Sequence, residues 1–121
     1  MMTEPGMIAD AYLSVWNEAD DAKRLALLAE GWSRDARYVD PLMSGEGHAG
    51  IATLIGAARA QFPGHSFTLR GTPDGHGAYV RFAWNLAGED GPVVAGGTDV
   101  VKLDDNGRIV VVVGFLDGGS A

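Results

Sequence analysis

The chain is expected to form an α+β domain, with about three helices leading and an antiparallel meander following. Three observations carry that expectation. Apolar residues recur at helical spacing up to about residue 61, and the period switches to alternation after His65. Three turns of the Asp-Gly or Asn-Gly kind then punctuate the alternating half. Helices that precede a meander pack on one face of a curved sheet. With 121 residues the chain has room for one core, so residues 1–121 are read as one domain.

From Met7 to Asn17 the residues Ile8, Ala11, Tyr12 and Val15 share one helical face, with Asp10, Ser14 and Asn17 opposite. Asp20 or Asp21 can cap a second helix, whose stripe of Leu25, Leu28, Ala29 and Trp32 ends near Gly31 to Ser33. Ala36 to Asp40 reads as a short strand. A third helix runs from about Ala49 to Gln61, with Ile51, Leu54, Ile55 and Ala58 inward, and Pro63-Gly64 stops it.

Four strands follow, at roughly 65–72, 77–87, 92–103 and 108–117, parted by Pro73-Asp74-Gly75, Glu89-Asp90-Gly91 and Asp105-Asn106-Gly107. Alternation puts Ala78, Val80, Phe82, Trp84 and Leu86 on one face and Tyr79, Arg81, Ala83 and Asn85 on the other. With Lys102 outward, Asp99 shares the apolar face of Val101 and Leu103, where a carboxylate needs a reason to be. Gly96-Gly97 marks a bulge or a close approach to backbone. The last strand, Ile109 to Phe115, is apolar on both faces, which suggests that a second subunit covers one of them.

Composition narrows the function classes. There is no cysteine, so disulfides, thiolate chemistry and cysteine-held metals are excluded. A net charge of -7 with scattered Lys and Arg argues against nucleic acid. The longest apolar run, Ile109 to Leu116, is too short to span a bilayer, and Met1-Met2-Thr3-Glu4-Pro5-Gly6 carries no leader pattern. A cytoplasmic protein without membrane attachment is the expectation.

The stretch from Arg37 to Ile51 has the strongest local design. It sets Asp40 at the end of an aromatic and β-branched run, before Pro41, and then turns through glycines into a helix. Proline disfavours helical backbone at the residue before it, so Asp40 is presented from a strand end. A carboxylate so placed is suited to face a cavity. The plain alternative is that it ties the turn, bonding the Ser44-Gly45 backbone.

In order and spacing, several segments together carry a resemblance: Asp35-Ala36-Arg37-Tyr38-Val39-Asp40-Pro41, the Gly47-to-Ile51 helix entry, Arg81-Phe82-Ala83-Trp84, and Gly97-Thr98-Asp99-Val100 with Asp105-Asn106-Gly107-Arg108-Ile109. The chain resembles the nuclear transport factor 2-like superfamily, and within it the SnoaL-like polyketide cyclases and ketosteroid isomerases. The resemblance implies a cystatin-like roll, in which a cone of helices packs on a strongly curved, mainly antiparallel sheet around an interior pocket. It also implies a homodimer through the outer sheet face. Isomerase-like members use the aspartate of the Asp-Pro position as a base that moves a proton beside a carbonyl, which here is Asp40. They meet the developing oxygen charge with a first-helix tyrosine and a protonated strand aspartate, which correspond to Tyr12 and Asp99.

Trp16, Phe82 and Trp84 are the candidate walls of a substrate site. No pair among His48, His65 and His76 has metal-ligand spacing, no phosphate-binding glycine motif is present, and no serine sits in a nucleophile elbow. Neither a metal nor a cofactor is therefore expected. The leading reading is cofactor-independent proton transfer, as an isomerase or cyclase, on a small apolar carbonyl compound. A noncatalytic ligand-binding or dimerisation domain of the same fold is the alternative, and a hydrolase or dehydratase using Asp40 to activate water is a third.

Overall fold

The structure, a computed structural model, describes residues 4–118. Met1 to Thr3, part of the segment read above for a leader, lie outside the described residues. Three helices, α1 (Pro5–Asn17), α2 (Asp21–Gly31) and α3 (Gly47–Gln61), pack on a curved sheet of six strands. These are β1 (Trp32–Val39), β2 (Ser44–Glu46), β3 (His65–His76), β4 (Tyr79–Gly88), β5 (Val93–Leu103) and β6 (Ile109–Leu116). The sheet order is β2-β1-β6-β5-β4-β3, and every pairing is antiparallel except β1 with β6. None of the described helices is long and apolar enough to cross a membrane.

Helix α1 starts on Pro5, whose missing N–H costs nothing in a first turn. It buries Ala9, Tyr12, Leu13, Val15 and Trp16, a face rotated slightly from the expected one, so that Ala11 is exposed. Asn17 fixes its far end. The amide donates to Phe67 O at 2.9 Å while its oxygen accepts from Phe67 N at 2.7 Å, which pins the helix to edge strand β3. Arg59 of α3 donates to Trp16 O at 3.0 Å and ties a second helix to the same place.

Asp20, and not Asp21, caps α2, accepting from Lys23 N at 2.8 Å. The stripe read for this helix needs correction. Leu25 is exposed and Ala29 faces out, Trp32 belongs to β1, and Arg24 is buried beside Leu28. Arg24 is tolerated inside because its guanidinium donates to Glu18 O and Ala19 O, carbonyls left over between α1 and α2, and pairs with Asp21 at 2.8 Å.

The strand faces follow the alternation: Val80, Phe82, Trp84 and Leu86 are buried, as are Asp99, Val101 and Leu103, while Lys102 is exposed. The β3–β4 turn differs from the expectation. It falls at Gly77-Ala78, and Pro73-Asp74-Gly75 lies within β3. A register shift between Arg70 and Asp74, with Gly71 at φ 72, accommodates the proline. An edge strand is where a residue lacking an N–H is tolerated. The strand β1 is also longer than expected and begins at Trp32, and β2 was not legible at three residues.

Gly97 is the close approach that Gly96-Gly97 implied. It lies opposite Trp84, and a Cβ there would press on Phe115 O and stand 2.8 Å from Trp84 Cζ2. Gly97→Ala is accordingly expected to destabilise the fold by roughly 1–3 kcal/mol, because backbone and a packed indole must both yield. Urea unfolding measures this, and an unchanged midpoint would contradict it.

Candidate functional site

Sheet order puts the two candidate carboxylates in one row. Asp99 of β5 pairs with Gly114 of β6 in antiparallel register. On the other side of β6, Tyr38 and Val39 of β1 run parallel with Val112 and Val113, so Asp40 follows level with Gly114. A Cβ on residue 114 would stand 2.8 Å from Asp99 Oδ1, 3.2 Å from Asp40 Cβ and 3.6 Å from Tyr38 Oη. The absence of a side chain at Gly114 is what leaves space between the two carboxylates.

Each carboxylate has its own tyrosine. Tyr12 hydrogen-bonds Asp99 Oδ2 at 2.5 Å, 87 residues away in sequence, and Tyr38 donates to Asp40 Oδ2 at 2.7 Å. The other oxygen of Asp40 accepts from Leu42 N at 2.8 Å and Met43 N at 2.9 Å, and Asp40 N donates to Met43 O. The turn-tying role is thus real, although it engages Leu42 and Met43 and not Ser44-Gly45. A carboxylate offers about four acceptor positions, so three hydrogen bonds leave one on Oδ2 for a proton.

These groups form the polar end of a cavity of about 360 Å³. Tyr12, Tyr38, Asp40 and Asp99 line it beside Trp16 and Trp84, and the rest is mainly aliphatic. Phe82 stands elsewhere. It is buried behind Tyr12, with ring centroids 4.9 Å apart, and is not among the lining residues, because its strand position faces the helix and not the opening. Leu42, 79% exposed, and Phe62 stand at the solvent side of the cavity.

Burial dominates the electrostatics. It pushes the Asp99 carboxyl up from its ordinary 3.8 to about 6, held back by the Tyr12 hydroxyl and the nearby Trp84 indole and raised further by the charge of Asp40. The Tyr12 phenol is raised well above its ordinary value by burial, then by the neighbouring Asp99 and Tyr38. The Tyr38 phenol rises likewise, from burial first, then Asp99 and the hydrogen bond to Asp40. Both tyrosines therefore stay neutral donors. Trp16 Nε1 and Trp84 Nε1 are buried without a close hydrogen bond, and each indole stands near a site group, Trp16 near Tyr12 and Trp84 near Asp99.

The histidines lie away from this cavity. His48 Nε2 contacts Trp32 O at 2.9 Å, His65 Nδ1 contacts Pro63 O at 3.0 Å, and His76 packs near Tyr79 on the outer face. Arg81 pairs with exposed Asp74 at 2.7 Å. Two residues that sequence reasoning did not single out complete the site, Tyr38 and Gly114. Tyr38 had a signal, since a residue two before Asp40 on a strand shares its face. So did Gly114, a lone glycine in an apolar strand.

The fold agrees with what the chain is similar to. A family model described as a SnoaL-like domain matches residues 9–112, and the chain belongs to that family. A solved structure from Agrobacterium tumefaciens, provisionally described as an isomerase of the SnoaL-like family, is 57% identical over 97% of this chain and 100% of its own, with a TM-score of 0.92. A protein from Jannaschia sp. CCS1, provisionally described as a SnoaL-like polyketide cyclase, shares the fold at 16% identity and a TM-score of 0.72, covering 97% of this chain and 91% of its own. A cystatin-like protein of unknown function from Methylobium petroleophilum PM1 does so at 23% identity and 0.73, covering 97% and 78%. No functionally curated protein matches the chain.

Proposed function

We propose that this chain catalyses cofactor-independent proton transfer, as an isomerase or cyclase, on a small apolar carbonyl compound. The observation that carries the reading is the pair of tyrosine-held carboxylates on one wall of a largely apolar cavity. Asp40 is the general base, with one acceptor position left to take a proton from the carbon beside the carbonyl. Tyr12 and Asp99 face the oxygen on which charge develops, and Trp16 and Trp84 form walls. A cavity of about 360 Å³ suits a ligand of one or two rings. Among the described residues its lining carries no Arg, Asn or His, and Gln61 is its one amide, which disfavours the water-activating alternative. The description of the Agrobacterium relative as an isomerase supports the same direction.

The test is deuteron exchange at carbon in a panel of enolisable cyclic ketones, followed by proton NMR in heavy water. Exchange above the buffer rate supports the reading, and its absence across the panel opposes it. A binding domain without chemistry is the second reading. It is favoured by the Tyr12 hydroxyl, which is spent on Asp99 and not left free, and it expects ligand binding without exchange.

A second copy of this chain is the proposed partner of the outer sheet face, where neighbouring Val39, Val113 and Phe115 are exposed. Phe115→Lys is expected to weaken self-association roughly tenfold or more, since a charge would be buried without a partner. Analytical ultracentrifugation measures this, and a wild-type protein that stays monomeric at high concentration would contradict it.

A further inference from the structure

Asp99 divides its two oxygens between different neighbours. Oδ2 is engaged by Tyr12, whereas Oδ1 makes no hydrogen bond among the described residues and borders the space over Gly114. Tyr38 Oη borders the same space. Its phenol ring is buried. The titratable groups facing Tyr38 are Asp40 beyond its own strand, Asp99 of β5 and Tyr12 of α1. On the remaining sides β6 presents Gly114, and α3 lines the cavity with Ala57, Ala58 and Gln61.

We propose that Tyr38 is a proton bridge between the two carboxylates, passing the proton that Asp40 takes from a ligand across the Gly114 gap to Asp99. In this structure its hydroxyl donates to Asp40 Oδ2 and makes no hydrogen bond to Asp99, whose Oδ1 lies across the Gly114 gap as the second acceptor to which it would turn. While Asp40 is ionised, the hydroxyl donates to Asp40 Oδ2. Once Asp40 holds a proton, that Oδ2–H bond breaks as a new O–H bond forms at Tyr38 Oη, and the original Tyr38 O–H bond breaks as one forms at Asp99 Oδ1. One proton has moved, Tyr38 ends neutral, and Asp40 is again a carboxylate.

The bridge rests on the proposed function for its catalytic meaning, and it removes a difficulty in that function. A carboxyl whose pKa lies at about 6 is mostly ionised at neutral pH and cannot donate to an enolate oxygen. Delivery through Tyr38 would supply its proton at the moment the enolate forms. Coupling of the two carboxylates needs no substrate and can be measured by itself.

The experiment follows Tyr38 Cζ and both carboxyl carbons by carbon-13 NMR across pH in the full chain. Tyr38 Cζ is expected to move at the midpoints of both aspartates, and the two carboxyl signals to share a pair of midpoints. In Tyr38→Phe the spacing between the shared midpoints should shrink to the part due to the charge of Asp40 acting on Asp99, and ketone exchange should fall roughly tenfold or more. Movement of Tyr38 Cζ with Asp40 alone would overturn the bridge, as would an unchanged shared pattern in Tyr38→Phe, which would assign the coupling to charge acting through space. If that variant does not fold, a wild-type Cζ that follows Asp40 alone still overturns the bridge. Intact coupling in a wild-type protein that exchanges no ketone would count against the proposed function and leave the bridge standing.

Discussion

Asp40→Asn is expected to lower ketone exchange about 10²–10⁴-fold while leaving the fold in place. That loss corresponds to roughly 3–5 kcal/mol of transition-state stabilisation. The substitution is informative because it spares the structural half of the residue. The asparagine oxygen can still accept from Leu42 N and Met43 N, the two bonds that hold the turn after β1. Its amide would replace Oδ2, and the Tyr38 hydroxyl can rotate from donor to acceptor. Stability should therefore change by no more than about 1 kcal/mol. Exchange rate and urea midpoint together decide between roles: a large kinetic loss with an unmoved midpoint supports a base, whereas an unmoved rate removes Asp40 from the chemistry.

Asp99→Asn is expected to remove a pH dependence of stability worth about 3 kcal/mol. The folded pKa of about 6 exceeds the ordinary 3.8, so the folded chain binds a proton more tightly than the unfolded chain. The stability that this proton confers is fully present below about pH 4 and is lost as pH rises through 6, at about 1.4 kcal/mol for each pH unit of difference between the two pKa values. Denaturant unfolding of both proteins at pH 3 and pH 8 isolates the effect, because all other titrating groups are shared. The variant should gain on the wild type by about 3 kcal/mol at the higher pH. Parallel profiles would mean that Asp99 is not held above its ordinary range. In the exchange assay the same substitution should cost about 10²–10³-fold if Asp99 faces developing charge.

Much of this was written in residue patterns. The alternation of β4 and β5 placed Trp84 and Asp99 on the buried face, and the Asp-Pro step placed Asp40 at a strand end, because burial on one face of a sheet enforces a period of two. Helix faces were read less well. Arg24 was unreadable as a core residue, since its acceptors are carbonyls that become available only when the α1–α2 connection closes around it. The turn at Gly77-Ala78 lost to Pro73-Asp74-Gly75 as a signal, because nothing local says that β3 is an edge strand able to carry a proline. Phe82 and Trp84 share a strand face, yet Trp84 lines the cavity and Phe82 lies under Tyr12, a distinction set by where α1 crosses the sheet.

The row Asp40, Gly114, Asp99 was the least legible feature. It depends on the parallel pairing of β1 with β6, a contact between chain segments some 70 residues apart that no turn signal announces. Alternation gives each strand a face, but not its neighbours. Once that pairing is known, Tyr38 and Gly114 follow from period and from the close approach that only glycine permits.

Two coupled carboxyl groups that handle a proton and an enolate oxygen should respond together to a ligand that mimics the enolate. Carbon-13 titration of the Asp40 and Asp99 carboxyls should be run with and without a planar phenol of one or two rings. Free Asp99 is expected to titrate near 6, and the phenol to shift both carboxyl signals. Titration of Asp99 in the ordinary range near 3.8, with neither signal moved by the phenol, would contradict it.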